Sequence, residues 1–398
     1  MKAILLLASL GFVSILGTAK VLGRSSIPGI RLLVRTGVLF MLLGAAVGPN
    51  GLDLFDQQSF HKLGPLVVIG LGWLGFFFGT NLEARTLRKF PRKLYLGAML
   101  QSLVTFCVVL GVALAVLSQI EPLSSKRWIA AVILAATAAG TAPSSLFMLG
   151  SERLAEGPDF EATRFFATVD DLPGLIALGI LCSFSPSLHG AAISNPLFWF
   201  VVQSALGVVY GFFLHFLKLQ DLDESAGDLV VFGLIGMSSG MCLYLHLSPL
   251  YVCALTGMVV VNVSDRSERI YERVASREHA FYVLFLLLAG CLWDLATLPL
   301  VWLLAAALLY AGVRLLGKLV GGALASAYLA GDVPISSYNG LGLISQGGLA
   351  VAMVVSYRWA FVKFLEDWVV SVVLLCVVLH ELLAPWLEVR LFGAKKRS

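Results

Sequence analysis

Phe165-Phe-Ala-Thr-Val-Asp-Asp-Leu-Pro-Gly-Leu-Ile-Ala-Leu-Gly-Ile-Leu181 is an apolar run whose only charges are two adjacent carboxylates, Asp170 and Asp171. The run is long enough to make most of a membrane crossing. A charge at the bilayer centre costs about 2.5–3.5 kcal/mol on insertion scales. Two like charges side by side also repel. A chain keeps such a pair where a cation or a proton neutralises it, so the stretch points to ion transport.

The rest of the chain agrees. Hydrophobic residues make up 59% and charged residues 13% of the 398 positions, and mean hydropathy is +0.90. Soluble domains carry roughly 25% charged residues, so this is an all-α polytopic membrane protein. Apolar runs between polar breaks predict thirteen spans, at 2–23, 30–48, 62–83, 93–118, 127–150, 162–184, 194–217, 228–246, 249–263, 278–296, 298–325, 338–357 and 362–389. Only Leu247-Ser-Pro249 separates the eighth from the ninth, and merging them would leave twelve.

Charge asymmetry favours thirteen. Alternate loops then collect twenty Lys and Arg residues on one side, including the 85–93 and 266–277 stretches, and six on the other. Basic residues mark the cytoplasmic side. The expectation is a bacterial inner-membrane protein with its N-terminus outside and its C-terminus in the cytoplasm. The first span reads as an uncleaved helix, because cleavage would leave the basic 20–35 loop without the helix that holds it inside. Net charge of +4 belongs to these loops and predicts no nucleic-acid partner. The six cysteines lie singly in apolar spans without metal-like spacing, and no cofactor is expected.

Two spans carry helix breakers at mid-depth. One reads Ala135-Ala-Thr-Ala-Ala-Gly-Thr-Ala-Pro-Ser-Ser145 and the other Asn339-Gly-Leu-Gly-Leu-Ile-Ser-Gln-Gly-Gly348. Proline removes a backbone donor and clustered glycines weaken a helix. Free backbone groups at that depth survive only beside a cavity or inside protein. The breaks fall in the fifth and twelfth spans, the fifth members of two six-helix halves if the seventh span is a linker. An odd separation of seven spans gives the halves opposite orientation, the pattern of an inverted-repeat transporter with a midplane site.

Several segments, taken in order, are similar to the cation:proton antiporter superfamily, specifically its sodium/proton antiporters of paired-aspartate type. Gly44-Ala-Ala-Val-Gly-Pro-Asn-Gly-Leu52 resembles the family's loop after the second helix, and Gly79-Thr-Asn-Leu-Glu83 its segment ending the third. Thr141-Ala-Pro143 falls at its unwound helix, Val169-Asp-Asp-Leu-Pro-Gly174 at its paired-aspartate motif, and Gly317-Lys-Leu-Val-Gly321 at its buried-lysine helix. Gly340-Leu-Gly-Leu-Ile-Ser-Gln-Gly-Gly348 resembles its second broken helix.

The resemblance implies two inverted six-helix repeats with crossed discontinuous helices. It implies scaffold or dimerisation helices at 1–92 and 226–297, core transport helices at 93–185 and 298–398, and a linker helix at 186–225. A homodimer in membrane lipid follows from it, with monovalent cations and protons as the transported partners.

Asp171 is the expected ion-binding carboxylate and the group that would hold transported Na⁺, by the motif and because an ionised carboxylate offers only acceptor oxygens. Successive helical residues point about 100° apart, so Asp170 and Asp171 divide their tasks. The resemblance pairs Asp170 with Lys318. Arg314, one turn earlier on the same face, is the competing partner, and snorkelling is the bland alternative for Lys318. Thr141, Ser144 and Thr168 are candidate oxygen ligands, each with the alternative of bonding its own helix backbone. Gln346 is expected to satisfy free backbone groups at the second break. His380 and Glu381 read either as a gating pair or as residues facing the cytoplasmic end.

The predicted activity is exchange of Na⁺ or Li⁺ for H⁺ by alternating access, electrogenic, with cation and proton competing for Asp171. A K⁺/H⁺ exchanger or K⁺ efflux protein on the same fold is the nearest alternative. An intramembrane aspartyl protease is distant, because its two aspartates approach from different helices whereas these are neighbours on one.

Overall fold

The computed structural model describes residues 36–48, 51–52, 63–119, 127–143, 146, 157–217, 222–265, 267–294, 297–333, 335–361 and 367–393. The predicted first span and Ser144 lie outside the described residues. Among the described residues, apart from the four-residue helices Ala84–Leu87 and Ser185–Leu188, thirteen helices follow in order: α1 (Val38–Val47), α2 (Gly64–Thr80), α3 (Arg92–Gln119), α4 (Arg127–Ala139), α5 (Pro158–Val169), α6 (Asp171–Cys182), α7 (Pro196–Phe216), α8 (Glu224–Tyr244), α9 (Pro249–Val263), α10 (Ser267–Cys291), α11 (Leu300–Leu329), α12 (Gly348–Ala360) and α13 (Trp368–Gly393). A 3₁₀ turn, Asn339–Leu343, precedes α12. No strand occurs among the described residues.

Every predicted span from the second to the thirteenth overlaps one of these helices, α5 and α6 sharing the sixth. The uncertain eighth and ninth spans are separate. His246 turns the chain through the left-handed region at φ 56°. Ser248 then caps α9 by accepting from the Tyr251 N–H at 3.2 Å, and Pro249 stands first in that helix, where a missing N–H costs nothing.

Length follows from sequence. Among the described residues seven helical stretches, α5 through α6 counted as one, are long and apolar enough to cross a membrane. The shorter apolar helices include α4 and α12, which the two breaks cut short. α5 and α6 meet at Asp170 because Pro173 has no N–H for the Val169 carbonyl and its ring crowds that turn.

Packing is reciprocal across the proposed repeats. α2 packs on α9 while α1 packs on α10, which is the same pairing with the halves exchanged. α3 and α11, equivalent helices, pack on each other, as do the two broken segments. Both outer pairs are close. A Cβ on Gly44 would overlap the Leu287 carbonyl and one on Gly290 the Met41 carbonyl, while Gly79 and Gly257 meet α9 and α2 backbone in the same way. In membranes such small-residue contacts supply association that hydrophobicity cannot. Five of the six cysteines are buried and all are unpaired, consistent with small packing residues.

Candidate ion-binding site

The centre of the molecule is built from the carbonyls that the first break leaves without helical donors. Pro143 carries no N–H, so the Ala139 carbonyl has no i+4 partner. The next amides turn elsewhere: Thr141 N–H donates to Asp170 Oδ1 at 3.1 Å, and Ala142 N–H donates to the Ser345 carbonyl of the second break at 3.1 Å. Four carbonyls at the end of α4 therefore need outside donors.

Three side chains supply them. Gln346 Nε2 donates to Thr137 O at 2.8 Å, and Lys318 Nζ donates to Ala139 O at 2.6 Å. Arg314 takes the remaining two, from Nε to Ala138 O at 3.1 Å and from Nη2 to Gly140 O at 2.8 Å. Its fork also reaches the other break, with Nη1 on Ile344 O at 2.5 Å and Nη2 on Ser345 O at 3.3 Å. One guanidinium thus caps the negative ends of both half-helices, where a cation is favoured.

Lys318 completes the arrangement. Its ammonium lies 2.9 Å from Asp170 Oδ2, and both side chains are wholly buried. It also donates to Thr141 Oγ1 at 2.8 Å, while the Thr141 hydroxyl donates to Asp170 Oδ2 at 2.5 Å. Ser102 Oγ–H holds the Asp170 carbonyl at 2.5 Å. Every oxygen of Asp170 is engaged.

Asp171 is different. It opens α6 and lines a cavity of ≈ 400 Å³ together with Thr141, Thr168 and Gln346. Among the described residues no hydrogen bond or ion pair reaches its carboxylate. The side chain lies directly over Gly140, where a Cβ would collide with Oδ1. From Asp171 the cavity runs between the crossing and a wall of α2 and α10, where Asn81, Tyr271, Glu278 and His279 line it.

The family model described as "Sodium/hydrogen exchanger, transmembrane" matches residues 10–389. The chain belongs to the sodium/hydrogen exchanger family. It is therefore a cation/proton antiporter, a transporter and not an enzyme. Two solved structures of the sodium/proton antiporter MjNhaP1 from Methanocaldococcus jannaschii share its fold. The one at pH 8 has 18% identity and a TM-score of 0.69. The other, from an electron-microscopy map, has 16% identity and a TM-score of 0.68. Each alignment covers 99% of this chain and 98% of the other. Comparison with curated protein sequences gives no match.

For this exchanger the structure brings Asp170, Lys318, Thr141 and Arg314 together and leaves Asp171 apart. Three expectations need correction. Arg314 does not compete for Asp170; its planar fork suits several carbonyls at once, and among the described residues the ion pair is with Lys318. Gln346 serves the first break, not its own, because the two breaks cross and put its amide beside Thr137. His380 and Glu381 do not face an end of the bundle: both are buried, and Glu381 Oε1 accepts from Ser345 Oγ at 2.6 Å.

Thr168 lines the cavity while donating its hydroxyl to the Arg164 carbonyl at 3.0 Å, the backbone alternative foreseen for it. Glu278 and His279 had no assigned role, although a polar pair at the start of the 278–296 run was the available signal. Tyr310, whose hydroxyl lies 2.9 Å from Thr137 Oγ1 and 3.2 Å from Gln346 Nε2, left no signal in an apolar helix.

Proposed function

We propose that the protein exchanges Na⁺ or Li⁺ for H⁺ by alternating access, with cation and proton competing for Asp171. One observation carries the reading: a cavity of ≈ 400 Å³ is lined by a carboxylate that has no hydrogen-bond or ion-pair partner among the described residues, beside a second carboxylate that is fully engaged. Asp171 can then take a cation or a proton, but not both. A neutralised site crosses the barrier more cheaply than a charged one, so competition for a single carboxyl couples the two fluxes in opposite directions.

The cavity wall favours one orientation. Asn81 ends α2 just before the basic 85–93 stretch, and Tyr271 and Glu278 follow the basic start of α10. By the charge rule this side is cytoplasmic, so the conformation is open inward. The cavity lies between α2 and α10 on one side and the crossing on the other. That supports reading 93–185 and 298–398 as a core that moves against scaffold segments 1–92 and 226–297, which would also carry a homodimer contact. If the Lys318–Asp170 pair opens when a cation arrives, the ammonium can lose a proton as well, and exchange becomes electrogenic. One net charge is worth about 2.3 kcal/mol per 100 mV.

Solid-supported-membrane electrophysiology on purified protein, with Na⁺, Li⁺ and K⁺ jumps across several pH values, tests the reading. Saturable currents with Na⁺ or Li⁺ are expected. Currents with K⁺ alone would move the assignment to K⁺/H⁺ exchange, and absence of any cation-evoked current would remove it.

A further inference from the structure

We propose that Glu381 is a second proton-carrying carboxyl of the transport core, standing to the second broken helix as Asp170 stands to the first. α13 follows the second break as α5 and α6 follow the first, so the two carboxyls occupy equivalent spans of the inverted halves. Each accepts from the hydroxyl of its own break: Asp170 from Thr141 at 2.5 Å, Glu381 Oε1 from Ser345 at 2.6 Å. Both are withdrawn from solvent, at 0% and 1% exposure.

They differ in what answers their charge. Asp170 has Lys318, whereas Glu381 Oε2 is buried without a hydrogen-bond partner, and no salt bridge reaches Glu381 among the described residues. Besides Ser345, the Gln346 backbone N–H and the charge of Arg314 face it. Arg314 on α11 binds the Ser345 carbonyl and lies 3.4 Å from His380 Nδ1. On its own helix His380 contacts Cys376 Sγ at 3.1 Å. On α10, Tyr282 accepts from the Gly348 N–H at 3.1 Å, with Glu278 and His279 farther along the cavity. Lys318 is committed to Asp170.

An ionised carboxylate with one oxygen dry and unpaired is far costlier than the neutral acid. Glu381 is therefore taken as the neutral acid in this conformation. With Glu381 neutral, Asp170 and Asp171 balance Arg314 and Lys318. With the Lys318–Asp170 pair intact, a cation on Asp171 leaves the crossing one charge positive, and ionisation of Glu381 restores balance. The O–H bond breaks, Oε2 keeps the electron pair, and the proton passes to water. Gln346 and Gly347, the residues after Ser345, line the cavity that would receive it. This step rests on the reading of Asp171 as the cation site.

The test is proton release on NaCl addition to purified protein in weakly buffered detergent, read with a pH indicator, for wild type, Glu381→Gln, Glu381→Asp and Asp171→Asn. Glu381→Gln should release about one proton fewer per Na⁺ bound, and its plot of log half-saturation against pH should lose about one unit of slope. Glu381→Asp should keep both. Equal release and slope in Glu381→Gln overturns the proposal. Should that variant fail to fold, Ser345→Ala keeps the carboxyl and removes its donor; a displaced pH midpoint supports the assignment and an unmoved one overturns it. Asp171→Asn separates the two readings: wild-type release there ends the Asp171 assignment, while the Glu381→Gln deficit is read independently.

Discussion

Lys318 Nζ and Asp170 Oδ2 stand 2.9 Å apart with neither side chain exposed, while the next residue, Asp171, has no hydrogen-bond or ion-pair partner among the described residues. The pairing of one aspartate is what leaves the other available. Lys318 also fills the carbonyl that Pro143 orphans at Ala139, so the ion pair and the broken helix stabilise each other.

Removing half of that pair leaves a buried charge unanswered, which costs about 3–5 kcal/mol. Lys318→Gln should therefore lower the melting temperature of the purified protein clearly, and Asp170→Asn/Lys318→Gln should recover part of the loss. The single variant should also carry less net charge per exchange cycle. Unchanged melting and unchanged transport currents would mean that the pair matters to neither.

Asp171→Asn keeps the shape of the site and removes its charge. Na⁺- and Li⁺-dependent proton flux in proteoliposomes should vanish, while the melting temperature stays near that of the wild type, since no interaction with the carboxylate is lost. Near-normal flux would rule out the assigned role.

Gly140→Ala places a methyl group where Asp171 Oδ1 now sits. The carboxylate must shift, and half-saturation for Na⁺ should rise about tenfold or more, equivalent to about 1.4 kcal/mol. Flux measured against Na⁺ concentration checks this, and an unaltered curve would show that the carboxylate's present position is unimportant.

Competition for one carboxyl fixes the sign of the pH dependence. As pH falls, protons occupy Asp171 and half-saturation for Na⁺ should rise, with Asp171 alone contributing about tenfold per unit on the acid side and the maximal rate unchanged. A maximal rate that falls while half-saturation holds would contradict a shared site.

Arg314→Lys keeps the charge but not the fork. An ammonium cannot reach both breaks as five fixed donors do, so the Ala138, Gly140 and Ile344 carbonyls lose donors in part, at about 1–3 kcal/mol for each one left dry. The variant should melt below wild type and Arg314→Met lower still, as differential scanning fluorimetry would record.

Much of this was legible in the chain. Hydrocarbon forces nearly every span to be a continuous apolar run, so the spans can be counted from the sequence. Pro143, the glycines of 340–348 and the carboxyls of 170–171 stand out because each is costly in lipid without a reason. The 100° step between neighbours even required the two aspartates to part company. What the sequence could not supply was direction. Gln346 answers a carbonyl 209 residues away and Arg314 one 176 residues away. Glu381 became part of the core only when the second break folded over it. Which donor meets which orphaned carbonyl depends on how two interrupted helices cross, and that is settled by packing between the halves, not by the local pattern of either.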